Sequence, residues 1–165
     1  MMEIERKYAV NALPEDLSQF MNKRIEQGYL CHNPTIRIRK SNEDFILTYK
    51  SKFGVESVGD NGPAVNNEVE LQLTEEAYLT LRNKTDGNMV YKTRYLIPLW
   101  DHLTAELDIF EGLLQGLVIV EVEFPDLESA NQFKAPSWFG KDLSSDKRFT
   151  NYHLSKLSGL TELVL

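Results

Sequence analysis

Charged side chains of one sign recur two residues apart along this chain. They are Glu3 and Glu5 followed by Lys7, Arg37 and Arg39, Lys50 and Lys52, Glu68 and Glu70, Lys92 and Arg94, Glu106 and Asp108, Glu121 and Glu123. On a strand, residues i and i+2 share a face and lie about 7 Å apart. Carboxylates are hard oxygen ligands suited to Mg²⁺ or Mn²⁺, whereas clustered Arg and Lys suit phosphate oxygens. Gathered in one place, the two sets match a metal-bound polyphosphate. Cations would hold the anion, carboxylates the metal, and the metal would neutralise charge developing during phosphoryl transfer.

Any one doublet is adequately explained as a strand face meeting water. The whole set strains that explanation, because like charges at i, i+2 repel and surface strands ordinarily mix Thr, Ser, Lys and Glu. Opposite doublets on adjacent strands would compensate, and so would bound ions. The intervening residues are apolar: Ile4, Ile36 and Ile38, Val69 and Leu71, Leu107 and Ile109, Val120 and Val122. If that apolar face packs outward against helices, the charges face a lumen.

Period-two alternation predicts strands over residues 3–10, 27–31, 35–40, 44–52, 67–73, 90–99, 102–110 and 117–124. Asn33-Pro34, Ser41-Asn42 and Glu111-Gly112 mark turns, and the Gly- and Asn-rich segment 54–66 reads as a mobile loop. Thr74 is placed to cap a helix over 75–83, and Asp126 one over 127–133. In the tail from residue 146, Phe149, Tyr152, Leu154 and Leu157 fall near one helical face. No repeat or linker divides the chain, so residues 1–165 are expected to form one domain. The fold class is α+β, dominated by antiparallel strands. Strands numbering about eight suffice to close a sheet and leave a narrow lumen.

With these residues in order, the chain resembles the CYTH superfamily, the triphosphate tunnel metalloenzymes. Glu3-Ile4-Glu5-Arg6-Lys7 matches its E-x-E-x-K signature, and the later doublets and Asp146-Lys147-Arg148 follow the family's order over nearly the whole chain. The resemblance implies an eight-stranded antiparallel closed β-barrel, a tunnel with a charged lumen and a few flanking helices. It implies hydrolysis of a triphosphate with Mg²⁺ or Mn²⁺, most often inorganic tripolyphosphate in short bacterial-type members. Glu3, Glu5, Glu121 and Glu123 would be metal ligands, with Asp108 and Glu106 as further candidates. Lys7, Arg37, Arg39, Lys50, Lys52, Lys92, Arg94 and Arg148 would bind phosphoryl oxygens. Glu5, Glu121 and Lys7 would be catalytic, Lys7 through proton transfer or through its charge alone. Lys147 and Arg148 would close one mouth of the tunnel or stand as solvated helix residues. In many relatives a basic residue precedes the strand that begins at Glu68; here Asn66 and Asn67 stand there.

Thiamine triphosphatase and adenylyl cyclase remain open on the same fold. A non-catalytic module for polyphosphate or nucleotide is the rival from another class, and the number of inward acids weighs against it. Other chemistries lack their motifs. Cys31 is the only cysteine, so it is expected to be a small buried apolar residue. His32, His102 and His153 lack zinc-site spacing, and there is no G-x-S-x-G elbow or P-loop. Trp100 and Trp138-Phe139 read as core or rim packing residues.

Hydrophobic residues make up 42% of the chain and charged residues 26%, which excludes a disordered polymer. The net charge of -7 makes a nucleic-acid coat or a membrane-surface role unexpected. It does not exclude a polyanion site, because net charge says nothing of where the cations lie. The start of the sequence is charged without an apolar stretch, and no apolar run nears the ~18 residues that span a bilayer. A cytoplasmic protein, monomer or homodimer, acting on a small-molecule triphosphate is expected.

Overall fold

The alternating segments pair antiparallel and close on themselves. The computed structural model describes residues 1–163. Nine strands form one sheet: β1 (Met2–Val10), β2 (Met21–Cys31), β3 (Thr35–Ser41), β4 (Asp44–Ser51), β5 (Ala64–Gln72), β6 (Asp86–Pro98), β7 (Thr104–Glu111), β8 (Val118–Glu123) and β9 (Phe139–Asp142). The order is β5-β4-β3-β2-β6-β7-β8-β1-β9, and a further antiparallel pairing of β5 with β1 shuts the first eight into a barrel. One edge of β1 belongs to β8. The other edge is divided: Met2 to Glu5 pair with β5, whereas Tyr8 and Val10 pair with β9.

The helices are short: α1 (Glu75–Arg82), α2 (Leu127–Gln132) and α3 (Asn151–Leu154). Thr74 and Asp126 cap the first two as expected, accepting from Ala77 N–H at 3.1 Å and Ser129 N–H at 2.7 Å. The tail is not one helix. A 3₁₀ turn over Lys147–Phe149 gives way at Thr150, which caps α3 by accepting from His153 N–H at 3.2 Å. Among the described residues no helix is long and apolar enough to cross a membrane.

Two apolar clusters flank the charged lumen. The first lies outside the barrel, where Ile4, Leu107, Val120 and Val122 pack against Phe124, Ala130 of α2 and Phe139 of β9. The second lies at one end of the barrel. There Val90, Phe110 and Ile119, in phase with the inward charges of their strands, meet Leu143, Phe149, Leu154 and Leu157 of the C-terminal segment. That segment thus seals part of one mouth with apolar side chains.

Two expectations fail. Val69 and Leu71 are exposed, because the outward face of β5 has no helix laid over it. Cys31 is exposed as well, at the strand end just past an irregularity in the β2–β3 register. Trp100 is a rim packing residue as expected, 47% exposed and stacked on Phe133 at the edge of the outer core.

Candidate active site

Strand register decides which charges meet. Across β1 and β8, Glu5 stands opposite Glu123 and Lys7 opposite Glu121; across β6 and β7, Arg94 stands opposite Asp108. Like charges directly opposite one another are destabilising, so the Glu5–Glu123 and Glu106–Glu121 pairings require compensation from elsewhere in the lumen.

Much of that compensation is direct. Arg94 donates from Nε to Asp108 Oδ1 and from Nη1 to Glu106 Oε2, both at 2.7 Å, while Lys92 Nζ donates to Asp108 Oδ2 at 2.7 Å. Glu121 lies between Lys7, at 3.7 Å, and Arg94, at 3.6 Å. Burial works against its ionisation, but Lys7, Arg94, Lys92 and Lys50 outweigh it and hold the carboxyl well below the usual range. Lys7 also donates to the Phe149 carbonyl at 2.8 Å, which ties the C-terminal segment to the ion-pair layer.

A second group is undercompensated. Lys50 Nζ lies 2.9 Å from Glu3 Oε1 and 3.3 Å from Glu68 Oε2, and neither contact has hydrogen-bond geometry. Burial, then Glu68, raises the Glu3 carboxyl against the pull of Lys50. Burial, then Glu121 and Glu3, pushes Glu5 up to about 8. Glu123 is raised by burial and by Glu3, Glu106 and Glu68. Three acids that resist ionisation mark a part of the lumen short of cations. Its oxygen donors and charge deficit fit a hard divalent cation. Among the described residues no group of three or more acids, His or Cys is drawn together at metal-holding spacing.

The cationic wall lies on β3 and β4. Arg39 donates from Nε and Nη2 to Gln27 Oε1, at 2.9 and 2.8 Å; Arg37 Nη2 donates to Thr48 Oγ1 at 3.0 Å, and Arg37 Nε is buried without a partner. Their partners are neutral. Burial, with Arg37 and Arg94 close by, lowers the Arg39 guanidinium to about 10. Lys52 donates to the Val65 carbonyl at the rim.

A cavity of about 920 Å³ opens at the end where the β2–β3 turn, the 52–63 loop and the C-terminal segment meet. Glu5, Lys7, Arg37, Lys50 and Lys52 reach it, and so do Tyr29 and Thr48. At its mouth Tyr152 stacks on His32, with ring centroids 3.9 Å apart.

The chain is similar to known enzymes in sequence and in fold. The inorganic triphosphatase of Nitrosomonas europaea is 35% identical over 159 residues, covering 94% of this chain and 97% of the relative. That of Acetivibrio thermocellus is 30% identical over 158 residues, covering 93% of each. This chain belongs to the CYTH-type triphosphatases. The crystal structure of the inorganic triphosphatase NE1496 superposes with a TM-score of 0.65 at 33% identity, covering 93% of each chain. No protein-family model matches.

Within this CYTH barrel the residues expected at the site divide into three. Glu5, Lys7, Arg37, Lys50 and Lys52 line the open cavity. Lys92, Arg94, Asp108 and Glu121 form a close-packed layer, in which Asp108 has both oxygens engaged by cations, while Arg39 is held by Gln27. Glu123 lies exposed on the strand end beyond Glu121, and Glu70 is exposed too. Arg148 turns to Asp146, at 2.6 Å, and over the Phe149 ring, whereas Asp146 and Lys147 line the cavity. Gln27 and Tyr29 were not singled out from sequence. The alternation of β2 puts them in phase, and pairing opposite Arg39 and Arg37 puts them on the lumen face.

Proposed function

We propose that this chain hydrolyses inorganic triphosphate inside the barrel, with Mg²⁺ or Mn²⁺ as the resident cation, in the cytoplasm and without a nucleic-acid or membrane partner. The observation that carries the reading is the polarity of the lumen. Arg37 and Arg39, whose partners are neutral, face the acids Glu3, Glu5 and Glu123, which lack enough cations.

The triphosphate enters from the 920 Å³ cavity and is gripped by Lys7, Arg37, Lys50 and Lys52, which reach that space. Arg39, Lys92 and Arg94 add positive potential from behind. Asp108 does not hold metal in this reading: it orients Lys92 and Arg94. Glu3, Glu5, Glu121 and Glu123 would hold the divalent cation, which neutralises charge on the phosphates and lowers the pKa of bound water. Lys7, fixed between Glu121 and the Phe149 carbonyl, presents its ammonium to a terminal phosphoryl group and stabilises charge there. Glu121, kept ionised, holds Lys7 in place.

Phosphate release from tripolyphosphate, ATP and thiamine triphosphate tests the reading, after chelation and after addition of each metal. Metal-dependent release from tripolyphosphate is expected. Release from none of the three would overturn it and leave a binding module. A second reading has its own support: the Tyr152–His32 stack offers an aromatic platform for the organic part of a substituted triphosphate. Faster release from ATP or thiamine triphosphate than from tripolyphosphate would favour it.

A further inference from the structure

Between the inward-facing Glu5 and Lys7 stands Arg6, which points the other way. Its side chain is 10% exposed, and it reaches three separate pieces of chain outside the barrel. Nε donates to the Ala130 carbonyl of α2 at 2.7 Å, and Nη2 to Asn131 Oδ1 at 3.4 Å. Nη1 donates to Asp142 Oδ2 of β9 at 2.9 Å and to the Asn61 carbonyl at 3.3 Å. Asn61 belongs to the 52–63 loop, which supplies Val55, Ser57, Val58, Gly59, Gly62 and Pro63 to the cavity wall.

That loop has little else to fix it. Among its other hydrogen bonds, Val55 N–H to the Lys52 carbonyl and Gly59 N–H to Ser57 Oγ close on the loop itself, and Lys52 Nζ to the Val65 carbonyl ties only its first residue to β5. Val55 packs against the outer core near the loop's start. Gly54 and Gly59 take φ of +72° and +85°, and nothing lies within 4 Å of where a Cβ would stand. The loop therefore turns in open space on residues that favour left-handed backbone.

We propose that Arg6 is a positioning residue: it fastens the 52–63 loop to the strand that carries Glu5 and Lys7, and so sets how tightly the mouth of the cavity holds a triphosphate. The fork of a guanidinium suits this, because its donors serve several acceptors at fixed angles. Asp142 extends the tie. Beyond it, Leu143 N–H donates to the Lys7 carbonyl at 2.7 Å and Lys7 N–H to Ser144 Oγ at 3.0 Å. Arg6 thus clamps both coverings of the mouth to β1. The inference rests on the triphosphatase reading for its ligand and not for the anchoring.

Hydrogen exchange of residues 53–63, read by mass spectrometry, and the Kd for tripolyphosphate in the presence of Mg²⁺ test it together. In Arg6→Gln the loop is expected to exchange faster while β7 and β8 keep their protection, and Kd to rise about tenfold. KM should rise with it, with kcat within about twofold. Asn131→Ala, which removes only the Nη2 contact, should leave loop exchange and Kd as they are. If Arg6→Gln fails to fold, Arg6→Lys decides, since it keeps the charge beside Asp142 but cannot span the Ala130 and Asn61 carbonyls. Unchanged loop exchange in the folded variant overturns the proposal, and so does faster exchange with an unchanged Kd. A wild-type protein that binds tripolyphosphate without releasing phosphate would refute the proposed activity and leave the Arg6 result standing.

Discussion

Lys92 Nζ donates to Asp108 Oδ2 at 2.7 Å, and neither side chain reaches solvent. A buried pair of this kind contributes little net stability while intact, but removing one partner leaves a charge stranded. Asp108→Asn should therefore lower the unfolding free energy by about 3 kcal/mol, because Lys92 and Arg94 lose their shared anion. Urea titration followed by circular dichroism measures this. A midpoint within error of wild type would show that the layer is not a structural unit.

The acids at the other side of the lumen make the opposite prediction. Glu5→Gln should abolish turnover, by about a hundredfold or more, and leave the circular dichroism spectrum unchanged. Retention of full activity would remove Glu5 from the metal set.

The raised Glu5 carboxyl also fixes the sign of a pH dependence. Its folded pKa is about 8 against an ordinary 4.5, so between those values the unfolded chain has lost a proton that the native protein keeps. Native protein then binds more protons, and stability in chelator falls as pH rises from about 4.5 to about 8. Thermal melts across that range should show a declining Tm, and Glu5→Gln should flatten the decline. An equal slope in the variant would assign it to other groups.

Arg37 and Arg94 differ in what neutralises them, which separates their expected effects. Arg37→Ala should raise KM for tripolyphosphate about tenfold and shift Tm little, since its partner is the neutral Thr48 hydroxyl. Arg94→Ala should chiefly destabilise the fold, because it strips Asp108, Glu106 and Glu121 of a common cation. Kinetics alongside thermal melts would reveal a reversed order, which would contradict the placement of the two arginines.

Added Mg²⁺ or Mn²⁺ should raise the Tm of chelator-treated wild type in proportion to the logarithm of metal concentration, through preferential binding to the folded state. A Glu3→Gln, Glu123→Gln double variant should lose most of that rise. Equal rises in both would place the cation elsewhere.

The barrel was legible in the sequence because charge and apolarity alternate along strands long enough to carry the signal. Where alternation is absent the reading stopped short. Residues 21–26 are mostly exposed and have no apolar face, and they are strand through their register with β6, joined at Ile25 and Glu26 by β3. Strand β9 spans four residues, too few for a period. At Gly140 a Cβ would come within 2.9 Å of Asn11 Oδ1 and 3.2 Å of the Ala9 backbone, so a side chain would hold β9 off β1. The candidate residues were also legible as a set, but not their division. That Asp108 is consumed by Lys92 and Arg94, while Glu5 faces another acid, follows from cross-strand register, which no single strand encodes.

Only four residue pairs, Met2 to Glu5 against Asn67 to Ala64, join β1 to β5, since β9 has taken the rest of that edge. Beside this short seam Lys50 of β4 bridges Glu68 of β5 to Glu3 of β1. Were the seam to part, the cylinder would become an open sheet with β5 and β9 as its borders. The weakest joint of the wall is therefore flanked by two acids whose shared cation, Lys50, also lines the cavity. The ammonium that spans this seam from β4 is thus one of the cations exposed to the cavity, so the wall is fastened from its inner side.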